Sequence, residues 1–290
     1  MKRLLLVICV LSMGSLARAQ TPSLGAAATF AVLGGTNVTC TFPGVITGDV
    51  GVSPGSAVPF TNTGCAISGG TPPATNTAAG QAHTAFLNAY GALVLTPCTQ
   101  NIATAAFTDN VPATLGPFPL GNIPPGVYCF AADVTFTRTT LTLDGSTNPN
   151  GIWIFKVPAA LTGTGFQVVL ANGAQACNVF WAVGAAATLT TSTTVAALFQ
   201  GNILLGGPAG SITTTGGALV GRALANVAVT MTGTNVNGVC ALVDQAKAGC
   251  KTDDDDRDHE GDDDHGEGKR HHKGHHDKDD KDHRDDDRDH

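Results

Sequence analysis

Ala187-Thr188-Leu189-Thr190, Gly210-Ser211-Ile212-Thr213 and Val229-Thr230-Met231-Thr232 can be laid under one another. Each sets an apolar residue between small or hydroxyl-bearing ones, and the central Leu189, Ile212 and Met231 lie 23 and 19 residues apart. A repeat of about twenty residues, with turn residues between short strands, is the signature of stacked coils that each bury their inward residues on a neighbour. The same hydroxyl, middle, hydroxyl order occurs at Thr39-Cys40-Thr41, Thr135-Phe136-Thr137 and Thr162-Gly163-Thr164.

Outward from these triplets, the chain is a run of short β-rich stretches punctuated by Gly, Asn and Pro. Phe30 to Leu33, Gly126 to Phe130, Val134 to Leu143, Ile152 to Val157, Gln167 to Leu170 and Asn178 to Val183 read as strands. One segment breaks the pattern. Thr75 to Leu95 is Ala-rich, lacks Pro, and sets Ala78, Ala82, Ala85, Ala89 and Ala92/Leu93 on one helical face, with Thr75 or Thr77 able to cap it. The expected architecture is an all-β-dominated solenoid with one long helix, about residues 75–95, packed alongside through small residues.

The net charge of −7 hides two unlike parts. Residues 251–290 hold 18 Asp and Glu, 9 Lys and Arg and 8 of the 9 histidines. Between Gln20 and Cys250 the only acids are Asp49, Asp109, Asp133, Asp144 and Asp244, and the only bases Arg138, Lys156, Arg222 and Lys247. That body carries no basic footprint to displace counterions from phosphates, which argues against nucleic acid, and no amphipathic basic helix for a membrane surface. Lys156 and Arg222 are too few to line a basic groove. Residues 251–290 contain no apolar side chain and are expected to stay disordered. Within them His271, His272, His275 and His276 could bind divalent metal weakly; solubilisation is the plainer role for such a tail. No other cofactor is expected.

The N-terminus reads as a secretory leader: Lys2-Arg3, an apolar run from Leu4 to Leu16, and Ala17-Arg18-Ala19 before Gln20. The run is too short to span a bilayer, and no later segment replaces it. An exported single domain, residues 20–250, is expected, acting as a monomer. Removing the leader takes Cys9 and leaves seven cysteines, so one thiol must stay unpaired. Pairs Cys40–Cys65, Cys98–Cys129 and Cys240–Cys250 each bracket a loop, leaving Cys177 as the expected buried thiol.

Several stretches together resemble the ice-binding-like family of bacteria, fungi and algae. They are Leu24 to Leu33, Ile46 to Gly55, the Ala-rich helix, Gly126-Val127-Tyr128, Leu141 to Asp144, Ile152 to Phe155, Asn172 to Trp181 and Gly221 to Ala225, in family order. The resemblance implies a right-handed discontinuous β-solenoid of roughly triangular section, with the helix along one face and ice adsorption on another, flat one. The tail is no part of the family pattern.

On that reading the ice crystal surface is the partner. The candidate ice-facing residues are Thr39, Thr41, Thr135, Thr137, Thr162, Thr164, Thr188, Thr190, Ser211, Thr213, Thr230 and Thr232. Residues i and i+2 of a strand point the same way about 7 Å apart, and neighbouring strands stack at about 4.7 to 4.9 Å. Thr-x-Thr ladders therefore make a flat grid of stiff side chains with fixed methyl and hydroxyl positions. Thr is also simply a good strand residue on a solvated face. An extracellular adhesion module of the same fold without ice activity is the competing reading. His83, Asp49 and Asp144 sit in structural contexts, and no catalytic arrangement is visible.

Overall fold

The computed structural model describes residues 22–53, 60–68, 77–192 and 198–238. The leader, Thr75, Cys240, Cys250 and the histidine-bearing tail lie outside the described residues.

Three sheets of 8, 8 and 7 strands wall a solenoid of triangular section. Each coil contributes one strand to each wall, except the end coil of Gln100–Ile102 and Ala106–Thr108, which has none in the third. Val179–Val183, Ala186–Thr190 and Leu198–Gln200 form one coil, Asn202–Leu205, Ser211–Thr215 and Ala218–Val220 the next, and Ala223–Ala225, Ala228–Thr232 and Asn235–Asn237 the last. All pairings between coils are parallel.

Stacking order is not chain order. Phe30–Gly34 pairs with Ala223–Ala225, Asn37–Thr41 with Ala228–Thr232, and Val45–Thr47 with Asn235–Asn237, so the first coil sits on the last. The second coil, Asp49–Val52, Phe60–Thr63 and Ala66–Ser68, stacks on the first and ends the solenoid. The chain must then travel back to the far end. The helix Thr77–Leu95 does this: its 19 residues span about 28 Å at 1.5 Å per residue, close to six strand spacings.

The helix covers the outer side of the first sheet. Ala82, Phe86, Ala89 and Leu93 join Phe30, Leu33, Ile154, Phe180, Leu204 and Leu224 in one apolar layer. That sheet is therefore buried on both sides, which is why its strands read FAVLG and VFWAV without alternation. The buried helical stripe is Ala79, Ala82, Phe86, Ala89 and Leu93. Ala82, Ala89 and Leu93 lie on the face expected from sequence, but Ala78 and Ala92 are exposed and the stripe takes in Phe86, whose ring buries more apolar area than an alanine can. Thr77 is the first helical residue rather than a cap. Lys156 donates to Thr96 O at 2.9 Å and so serves the carbonyl end of the helix.

Two further expectations need correction. Val134 to Leu143 is not one strand but two, Val134–Thr137 and Thr140–Asp144, on different walls. The corner lies at Arg138, whose φ of 46° turns the chain. Cys40–Cys65 and Cys98–Cys129 are bonded as expected, but Cys177 is no free thiol: it is disulfide-bonded. Parity says that one thiol is left over but not which one, and a cysteine without a loop to bracket is not thereby unpaired.

Inside, aromatic rings stack from coil to coil. Phe107, Phe136 and Phe166 have successive centroid distances of 4.9 and 4.2 Å, and Tyr128, Phe155 and Trp181 of 5.3 and 4.1 Å. Gly163 faces inward beside them. A Cβ there would lie 2.8 Å from Leu189 Cδ2 and 3.0 Å from Phe166 Cβ, so the missing side chain makes room for the Phe166 ring.

Candidate functional site

The second wall carries the threonines, and strand alternation puts them outside. In Asn37–Thr41, Ala186–Thr190 and Ala228–Thr232 the second and fourth residues are buried, while the first, third and fifth face solvent. Register then decides which outward residues become neighbours. Thr61, Thr39, Thr230, Thr213, Thr188, Thr162 and Thr135 are successive partners across the wall, ending at Ala106. Two residues along each strand, Thr63, Thr41, Thr232, Thr215, Thr190, Thr164, Thr137 and Thr108 form a second unbroken column. Six and seven spacings of about 4.8 Å make the threonine columns about 29 and 34 Å long, and they stand about 7 Å apart.

Eleven of the twelve residues expected from sequence stand in these columns. Ser211 does not. It pairs with Ala186 and Ala228, one step outside the first column, and the grid pair of its strand is Thr213 and Thr215. The triplet alignment set Ser211-Ile212-Thr213 against Thr230-Met231-Thr232, whereas the wall sets Thr213-Thr214-Thr215 there. A run of three threonines fits either frame, and only the turn before it chooses. Thr61 and Thr63 were also missed, although Phe60-Thr61-Asn62-Thr63 shows the motif plainly. Thr108 and Thr215 lacked a clean triplet to mark them.

The bounding corner on the second column's side is built by left-handed turns. Gly165, Gly216 and Gly233 have φ of 60°, 66° and 62°, and their N–H groups donate to Thr190 O, Thr232 O and Thr41 O, so the ladder continues into the turn. Glycine there adds no side chain above the threonine plane. At one end Arg138 and Asp109 hold the same left-handed turn, φ 46° and 53°, and pair through Nε–Oδ1 at 2.7 Å and Nη2–Oδ2 at 2.6 Å. The Arg138 guanidinium holds the Asp109 carboxyl below the usual carboxylate range. At the other end the exposed Phe42 closes the corner.

Charge is confined to the edges. None of the outward residues on this wall's strands is ionisable, and Asp109, Arg138 and Asp133 stand at its corners. Thr190 Oγ1 lies 3.4 Å from Thr164 Oγ1 and 3.5 Å from Gly163 O, so the grid's own hydrogen bonds are long and leave capacity for water. Among the described residues no group of three His, Cys, Asp or Glu is placed to hold a metal. His83, on the helix, packs edge-on against Phe86. Asp144 accepts from Ser146 N and Asn172 Nδ2, a turn-forming role.

Comparison with known proteins gives one consistent relationship. The family described as ice-binding-like matches residues 32–237. The chain is 38% identical over 236 residues to an ice-binding protein of Nostoc sp. (strain HG1), covering 79% of each chain. It is 32% identical over 211 residues to ice-binding protein K3-B1 of Typhula ishikariensis, covering 69% of this chain and 84% of that protein. The crystal structure of an ice-binding protein from the Antarctic ascomycete Antarctomyces psychrotrophicus superposes with a TM-score of 0.63 at 28% identity, covering 75% of this chain and 98% of that one.

Proposed function

We propose that this chain, which belongs to the ice-binding-like family, adsorbs to ice through its threonine wall and thereby restrains crystal growth. The observation that carries the reading is the pair of threonine columns, continuous and in register over seven and eight strands. Methyl groups held at fixed spacing exclude disordered water, while hydroxyls at the same spacing anchor an ordered layer that can merge with the lattice. β-branched threonine has few rotamers to lose, so ordering the interface costs little entropy. An ionisable group would instead orient water around itself, and the wall has none. The protein acts by adsorption rather than catalysis, outside the cell that exports it through its leader.

The test is ice-recrystallisation inhibition by the exported chain beside its Thr190→Tyr/Thr213→Tyr variant. These two positions lie diagonally in the middle of the grid, outward-facing, where a ring breaks flatness without entering the core. Inhibition by the parent and its loss in a folded variant are expected. Equal inhibition by both would remove the wall from the mechanism.

A further inference from the structure

Cys177 is bonded, yet Cys40, Cys65, Cys98 and Cys129 are closed on one another. Its partner must therefore come from Cys9, Cys240 or Cys250, and Cys9 belongs to the leader. The course of the chain at its last strand narrows the choice. Gly238 N donates to Thr47 O at 2.9 Å, and a Cβ on Gly238 would meet Ala31 Cβ at 2.7 Å. Earlier coils pass this corner at Gly201 and Gly221 and begin a new strand on the helix-covered wall. After Gly238 that position is already occupied, because Phe30–Gly34 pairs there with Ala223–Ala225.

The same corner is a polar stack that leads to Cys177. Arg222 Nη1 donates to Asn202 Oδ1 at 2.7 Å, and Asn202 Nδ2 donates to Cys177 O at 3.1 Å. From the last coil to the coil of Cys177 is two to three strand spacings, about 10 to 14 Å. Two residues of chain reach at most about 7 Å. The Cα separation of the other two disulfides in this chain, 6.0 and 5.9 Å, spans the remainder. Cys240 lies those two residues past an anchored strand end, whereas Cys250 lies twelve past it and closes a longer loop at greater entropic cost.

We infer that Cys177 is joined to Cys240, fastening the exit of the last coil to a coil in the middle of the solenoid, and that Cys250 is the chain's unpaired thiol. The bond forms by oxidation of two thiols, which give up two protons and two electrons to a disulfide-bearing oxidant in the export pathway. Its 63-residue separation exceeds the 25 and 31 of the other two bonds, so in chain-entropy terms it restricts the unfolded state most.

Tryptic mapping of the exported full chain, alkylated without reduction, decides the matter. Lys247 separates the two candidates, so the expected species are peptide 157–222 crosslinked to peptide 223–247, with alkylated Cys250. A link from Cys177 to Cys250, or an alkylated Cys177, overturns the assignment. Cys240→Ser should lower Tm by on the order of 10 °C, while Cys250→Ser leaves it unchanged; the reverse ranking also overturns it. The map of the parent chain stands alone should Cys240→Ser fail to fold.

Discussion

Thr39 and Thr230, 191 residues apart in the chain, are register partners on adjacent strands of the threonine wall. Their pairing joins the first coil to the last, and makes one grid of two runs distant in sequence. Thr213 and Thr61 continue the same column on either side. The threonine grid thus crosses the seam at which the first and last coils meet.

Thr215→Tyr should reduce ice-recrystallisation inhibition as strongly as Thr190→Tyr, on the order of tenfold or more, because the two are neighbours in one column. Ser211→Tyr, one step outside both columns, should cost markedly less. Dose-response curves for the three variants check this. A loss at Ser211 equal to that at Thr215 would show that the working surface is not confined to the two columns.

Thr214 points inward between Leu189 and Met231, 3% exposed, with no hydrogen-bond partner for its Oγ1 among the described residues. Thr214→Val replaces an unsatisfied buried hydroxyl by a methyl of similar shape and should raise stability by about 1 kcal/mol. Denaturant unfolding measures it, and ice activity should not change. A destabilised Thr214→Val chain would mean that the hydroxyl has a partner, such as an internal water.

Arg222 is 1% exposed and meets no carboxylate among the described residues. Its guanidinium donates to Ala28 O through Nε at 3.1 Å and Nη2 at 2.6 Å, and to Asn202 Oδ1. Burial brings its pKa down to about 10, so it remains charged at neutral pH. It ties the segment before the first strand to the last two coils. Arg222→Met should cost about 3 kcal/mol, since carbonyl and amide oxygens lose a charged donor while buried. Thermal unfolding of the variant reads the loss directly, and a shift below about 1 kcal/mol would deny the arginine this clamping role.

His83, on the helix, is pushed below the usual imidazole range by burial, an effect partly offset by its hydrogen bond to the Asn226 backbone. The unfolded chain therefore binds the proton more readily than the folded one. This contribution to stability is complete above pH 6.5, the ordinary value, and is lost as pH falls from there through the lower folded-state pKa. Tm should decline between pH 7 and 5 in the parent and decline less in His83→Gln. Parallel profiles for the two chains would assign the acid sensitivity to other groups.

The sequence by itself determined the local facts: hydroxyl-apolar alternation, a repeat of about twenty residues, an Ala-rich helix without charge, and a body nearly free of ionisable groups. These follow from short-range physics, because strand alternation and helical periodicity decide which side chains turn outward without reference to distant residues. Only the tertiary structure decided which outward residues stand together. Parallel register is set between coils, by inward packing such as Phe136 on Phe166 and by the turn that delivers each strand, and a shift of two residues preserves the alternation while changing every lateral neighbour. That is why Ser211 looked equivalent to Thr230 and is not, why Thr61 and Thr63 joined the grid, and why the first coil rests on the last. Loop bracketing likewise left Cys177 unpaired, whereas the folded chain has it disulfide-bonded.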